Sequence, residues 1–136
     1  MNPPKNRVLI IEDNPLNLEL ATDLLEAGGF FVCHAVTAEE GLRLATEAAP
    51  DLILMDISLP GMDGLAATTA LKTNPATSHL KVIALTAHAM KGDEDLALSA
   101  GCDGYLAKPI DTRSFVKTVA AFISSADSRV PKLDPI

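Results

Sequence analysis

Basic residues are scarce in this sequence. Eleven Lys and Arg stand against 18 Asp and Glu, and the formal net charge is −7 at pH 7. So acidic a chain is a poor partner for nucleic acid or an anionic membrane. It favours solubility, cation binding and docking on basic surfaces. Aromatic residues are also few, 4 % of 136 residues against 48 % hydrophobic overall. The core is therefore expected to be built from Ala, Leu, Ile and Val. Cysteine is limited to Cys33 and Cys102, far apart and at no metal-ligand spacing. Both are read as reduced, small core residues. No apolar run approaches the roughly 20 residues of a membrane span. The polar start MNPPKNR carries no signal-peptide apolar stretch, and the cytoplasm is the expected compartment. The length implies one domain with a core that needs no metal or disulfide staples.

Along the chain, short apolar runs alternate with longer amphipathic ones. RVLII (7–11), FFVCHA (30–35), LILMD (52–56), KVIALT (81–86) and GYLAK (104–108) read as strands. Between them lie five helical stretches. Asn14 caps the first, with Pro15 at its first position and Gly28-Gly29 at its end. Thr37 to Glu40 has capping-box spacing and opens the second, which ends near Ala49-Pro50. The third spans about 64–73 and the fourth about 91–100, ending at Gly101. Asp111 caps the last, where Phe115, Val116, Val119, Ala120 and Ile123 recur at helical spacing. Such alternation predicts an α/β fold, a doubly wound open parallel sheet with helices on both faces. The strands lack in/out alternation, as expected where both faces are covered. The domain is placed at 7–124, with 1–6 as an N-terminal extension and 125–136 as a flexible C-terminal tail.

Ligands of such sheets bind at the carboxyl ends of the strands. The first strand ends in Glu12-Asp13, the third in Asp56, the fourth in Thr86 and the fifth in Lys108-Pro109. Each has a plain reading alone: a solvated loop pair, a turn residue, a turn hydroxyl, a surface lysine. Gathered at one edge, they form a chemical set. Three carboxylates repel in a small crevice, and Lys108 offsets only one charge. A divalent cation would balance the rest. Oxygen ligands without His or Cys favour Mg²⁺. One carboxylate, best Asp56, remains as a nucleophile toward phosphorus. Lys108, the Thr86 hydroxyl and the cation could then hold the phosphoryl oxygens.

IIEDN at 10–14, LILMDISLPGMDG at 52–64, ALTA at 84–87 and GYLAKPI at 104–110 resemble the receiver domain of two-component response regulators. The resemblance covers about residues 7–124. It implies a flavodoxin-like fold with strand order 2-1-3-4-5. It also implies Asp56 as phosphoacceptor and Glu12 and Asp13 as the acidic metal-binding pair, with the Ser58 backbone carbonyl completing the metal shell. Thr86 matches the switch hydroxyl, Tyr105 the aromatic that follows it, and Lys108 the phosphate-binding lysine, whose bond to Pro109 is typically cis. Ala87 would leave the phosphoryl group open to its donor. Ser58 and His88 occupy the positions that govern phosphoryl lifetime, although a surface residue is the plain reading of His88. AHAMKGDE (87–94), with IEDNPLN and DLLEAGGF, is similar to single-domain regulators of the DivK type.

The resemblance thus implies a stand-alone, Mg²⁺-dependent phosphorylation switch. Its donor would be a histidine kinase or histidine phosphotransfer protein. Its output would pass to a downstream protein on the face of the fourth helix, fifth strand and fifth helix, from a monomer or weak dimer, with no nucleic acid or membrane partner. Such a switch is not a turnover enzyme; it catalyses only its own phosphotransfer and dephosphorylation. Alternatives are a receiver cut from a hybrid histidine kinase, a Mg²⁺-dependent aspartyl phosphatase and a purely structural binding module. The phosphatase usually carries a second Asp two residues after its nucleophile, where this chain has Ser58.

Overall fold

RVLII, Arg7–Ile11, forms strand β1, in the interior of the sheet, with every residue after Arg7 buried. The computed structural model of the protein describes residues 6–57, 64–86, 91–108 and 110–124. Nine further elements follow: α1 (Pro15–Ala27), β2 (Phe31–Ala35), α2 (Ala38–Glu47), β3 (Leu52–Asp56), α3 (Gly64–Thr73), β4 (Lys81–Thr86), α4 (Lys91–Ala100), β5 (Gly104–Ala107) and α5 (Phe115–Ser124). The five strands make one parallel sheet of order β2-β1-β3-β4-β5. The predicted architecture and strand order are both present.

Strand periodicity assigns side chains to two cores. Leu9, Ile11, Ile53, Met55, Val82 and Ala84 pack on one face against Ala38, Ala45, Ala67, Leu71 and Ala97. Val8, Ile10, Leu52, Leu54, Ile83 and Leu85 pack on the other against Ala21, Leu25, Phe115 and Val119. Small alanines on the helices let them sit close to a sheet of branched residues. Burying each Leu or Ile contributes about 1.5–3 kcal/mol. β3 is buried throughout, whereas the edge strands β2 and β5 are only partly covered. The absence of in/out alternation thus holds for the central strands, and β5 alternates because an edge has fewer neighbours.

Local chemistry sets the boundaries. The Asn14 side chain accepts from the Leu16 and Asn17 amides, with Pro15 at the first helical position. α1 ends in a Schellman motif: Gly29 N–H donates to Glu26 O and Phe30 N–H to Leu25 O, with Gly29 at φ 95°. That bond takes the Phe30 amide, so β2 begins at Phe31 rather than Phe30. α4 ends the same way, Cys102 N–H donating to Ala97 O around Gly101 at φ 110°. Thr37 caps α2 through its hydroxyl at 3.1 Å, but Glu40 reaches back to the Val36 amide rather than to that of Thr37. Asp111 does not directly cap α5. It closes a preceding turn, its Oδ1 accepting from Arg113 N–H and its carbonyl from Ser114 and Phe115. Residues 1–5 of the expected extension 1–6 and the whole expected tail 125–136 lie outside the described residues, among which no helix is long and apolar enough to cross a membrane.

Both cysteines are free. Cys102 is buried, and burial pushes its thiol up to about 11; Asp103 adds to this while the Thr68 hydrogen bond and Lys72 oppose it. At pH 8 its thiolate fraction is then about one in a thousand. A small aromatic disulfide reagent is expected to consume half-buried Cys33 first and Cys102 only on denaturation. A fast-reacting thiol that persists in native Cys33→Ser would contradict this burial.

Candidate functional site

Register fixes the site before any side chain is considered. Ile11 of β1 lies opposite Met55 of β3, so Glu12 comes level with Asp56. Asp56 in turn lies opposite Leu85 of β4, so Thr86 stands one step beyond it. Thr86 pairs with Ala107 of β5, which brings Lys108 to the same edge. The ladders continue past the regular strands: Glu12 N–H donates to Ala35 O, Ile57 N–H to Leu85 O and Lys108 N–H to Thr86 O. Backbone bonds therefore hold the residues around Asp56 in place at the carboxyl ends.

Glu12, Asp13 and Asp56 bring one carboxylate oxygen each within 4.8 Å of one another. Their environments differ. Glu12 and Asp56 are buried, at 1 % and 3 % exposure, while Asp13 faces solvent. Lys108 Nζ lies 2.8 Å from Glu12 Oε1 and 3.3 Å from Asp56 Oδ2. Glu12 Oε2 accepts from the Asn14 amide at 3.1 Å, which ties the carboxylate to the start of α1.

Burial raises the Glu12 carboxyl above its ordinary range; the bonds from Lys108 and Asn14 oppose this, and the nearby Asp56 adds to it. For Lys108 burial works against the charge, but the hydrogen bond to Glu12 and the field of Asp56 and Glu12 prevail. Its ammonium is held above the usual lysine value. One cation thus serves two buried carboxylates, and the set remains electron-rich. An oxygen-only donor set with one solvent-facing member, Asp13, fits a hard divalent ion that keeps part of its water.

Thr86 is buried and Tyr105 is exposed at the β5 edge, opposite Ala84. The structure thus brings Glu12, Asp13, Asp56 and Lys108 into one cluster, with Thr86 at the same edge. Ser58, Ala87, His88 and Pro109 lie outside the described residues.

Sequence reasoning started the third helix at about residue 64 but missed why that residue is a glycine. A Cβ there would collide with the Asp56 carbonyl and lie 2.6 Å from Ile57 Cα. α3 therefore starts in backbone contact with the end of β3. It also missed Thr68 and the Lys72–Asp103 pair behind the site. The one available signal was the four-residue spacing of Gly64, Thr68 and Lys72.

The family model for the response regulator receiver domain matches residues 8–120. The polar-differentiation response regulator DivK of Brucella anthropi is 46 % identical over 123 residues, covering 90 % of this chain and 99 % of the relative. The receiver domain of a sensor histidine kinase from Pseudomonas aeruginosa, with a magnesium ion coordinated in its active site cleft, superposes with TM-score 0.82 at 33 % identity, covering 90 % of this chain and 100 % of that one. A CheY-like receiver domain protein from Methanospirillum hungatei gives TM-score 0.80 at 29 % identity, covering 88 % and 94 %.

Proposed function

Since the chain belongs to the response regulator receiver domain family, we propose that Asp56 accepts a phosphoryl group from a phosphohistidine and that the chain then signals by protein contact. The observation that carries this reading is Lys108, held between two buried carboxylates at the carboxyl edge of the sheet. The cation is placed to meet a developing charge on phosphoryl oxygens, and its ammonium is kept protonated by those same neighbours. In the transfer the bond from phosphorus to the imidazole nitrogen breaks, its electron pair staying on the ring. A bond from phosphorus to an Asp56 carboxylate oxygen forms.

Glu12, Asp13 and Asp56 would hold Mg²⁺, with the Ser58 carbonyl completing the shell as in the family. Bound there, Mg²⁺ supplies charge neutralisation. The Thr86 hydroxyl meets a phosphoryl oxygen and Tyr105 follows it. Ala87 and His88 govern access. The donor is a histidine kinase or a histidine phosphotransfer protein, and the cytoplasm is the compartment. The output target docks on the face of α4, β5 and α5. The near-complete match to DivK supports a stand-alone regulator over a receiver cut from a kinase. Ser58, in the place of a phosphatase's second Asp, argues against an aspartyl phosphatase.

Intact mass after incubation with Mg²⁺ and acetyl phosphate tests the reading. One added phosphoryl group is expected in the wild type, and none in Asp56→Asn or without Mg²⁺. No uptake by folded wild type from acetyl phosphate or from a phosphorylated phosphotransfer protein would overturn it. Turnover of p-nitrophenyl phosphate that depends on Asp56 would put the phosphatase in its place.

A further inference from the structure

We propose that Thr68 is a positioning residue for Asp56, and that the α3 stripe it belongs to couples Asp56 to the turn that feeds β5. Gly64, Thr68 and Lys72 recur every four residues and so share one line along the helix. At the upper end Gly64 presses on the Asp56 peptide, leaving no room for a Cβ. At the middle Thr68 is fully buried, and its hydroxyl donates to Gly64 O at 2.8 Å. Thr68 Oγ1 itself accepts from Cys102 Sγ at 3.7 Å. At the lower end Lys72 Nζ donates to Leu80 O at 2.7 Å and pairs with Asp103 Oδ2 at 2.9 Å. Asp103 Oδ2 also accepts from the Val82 amide. The Gly101 backbone lies over the Lys72 stem, where a Cβ would come within 3.0 Å of Cγ.

The line therefore touches the Asp56 backbone at one end and residues 101–103 at the other. β5 begins at Gly104, and Tyr105 is its second residue. The neighbours of Thr68 along α3, Ala67 and Leu71, belong to the apolar core. A buried hydroxyl is costly unless bonded, and in mid-helix it adds little to helix stability. What it supplies is direction. It fixes the carbonyl of the residue that abuts Asp56, and it does so from a partner next to β5. A change in depth of Asp56 on phosphoryl binding has a rigid path to the 101–103 turn, separate from the Thr86 side of the site. Only the uptake readout below rests on the phosphoacceptor reading; the coupling itself does not.

The test compares Thr68→Val, which keeps shape and loses the hydroxyl, with Thr68→Ser, which keeps the hydroxyl. The readouts are backbone amide NMR shifts and the rate of phosphoryl uptake from acetyl phosphate. In Thr68→Val the amides of Asp56 and Ile57 and those of Cys102 and Asp103 should move together. Uptake should slow about tenfold, the low end for loss of a support behind a binding site. Thr68→Ser should restore both. Wild-type shifts at Asp56 and a wild-type rate in Thr68→Val would overturn the proposal, as would a serine variant that behaves like valine. If Thr68→Val does not fold, Lys72→Met serves: joint movement of the Asp103 and Asp56 amides supports the coupling, and movement confined to Asp103 refutes it. Should the wild type take up no phosphoryl group, the phosphoacceptor reading fails while the amide shifts still decide the coupling.

Discussion

Lys108→Met is expected to slow phosphoryl uptake from acetyl phosphate by about 10²-fold or more, the usual loss when one charge-stabilising donor leaves a preorganised site. It is also expected to destabilise the metal-free fold by about 3 kcal/mol near pH 8, the low end for removing one partner of a buried ion pair. The reason is geometric. Lys108 is the cation 2.8 Å from Glu12 and 3.3 Å from Asp56, and both carboxylates are buried.

The stability loss should depend on pH. The raised Glu12 carboxyl binds its proton more readily in the folded chain than in the unfolded one. Folded stability therefore falls as pH rises from the ordinary carboxylate range through the Glu12 value. Lys108 limits that fall, because its bond lowers the Glu12 value. Without it the window widens upward, so the penalty should be smaller at pH 5 and larger at pH 8. The raised Lys108 ammonium contributes fully below the ordinary lysine range and is lost only as strongly alkaline solution passes its folded value. Urea unfolding of both proteins in EDTA from pH 5 to 8 checks this. A penalty independent of pH would mean that Glu12 is not the group Lys108 neutralises. Added Mg²⁺ should return part of the loss by binding the folded state alone.

Gly64→Ala is expected to lower stability by about 2 kcal/mol and to slow uptake as well. Overpacking costs about 1–3 kcal/mol, and restricting the unfolded chain returns about 0.4–1 kcal/mol. Overpacking prevails because the colliding atoms are the backbone of Asp56 and Ile57, which have no rotamer to change. Gly28→Ala is the useful contrast. Its new methyl would meet Val116 Cγ1, a side-chain atom that can turn aside. Denaturation midpoints for the two variants should separate clearly. Equal midpoints would mean that α3 does not bear on the strand end.

Strand positions, most helix ends and the sheet edge were legible in the sequence because each depends on near neighbours. Asn14-Pro15 and the Gly28-Gly29 and Gly101 stops act within a turn of their own helices. The gathering of Glu12, Asp13, Asp56, Thr86 and Lys108 followed from topology, since parallel strands end together. The chemistry within the cluster was less accessible. Three acids and a lysine do not reveal that Glu12 is buried against Lys108 while Asp13 stays in solvent. That division comes from packing across four strands. The α3 stripe was hidden for a similar reason. A Gly, a Thr and a Lys four apart signal only a shared line on a helix until residues 101–103 are folded against them. The start of α5 was misplaced because Asp111 has the right chemistry for a cap and spends it on a turn.

The placement of Tyr105 gives the protein an optical property. The chain has one tyrosine and no tryptophan, so its intrinsic ultraviolet emission comes from a single phenol. That phenol is exposed on β5, in register with Ala84 and one residue before the half-buried Leu106. Emission is usually an average over many rings, but here it is a record of one edge strand. A tryptophan-bearing protein that settled on this face would drain the tyrosine's excitation by energy transfer. One that settled elsewhere would leave it bright. Unlabelled protein can thus report by colour alone which of its surfaces is covered.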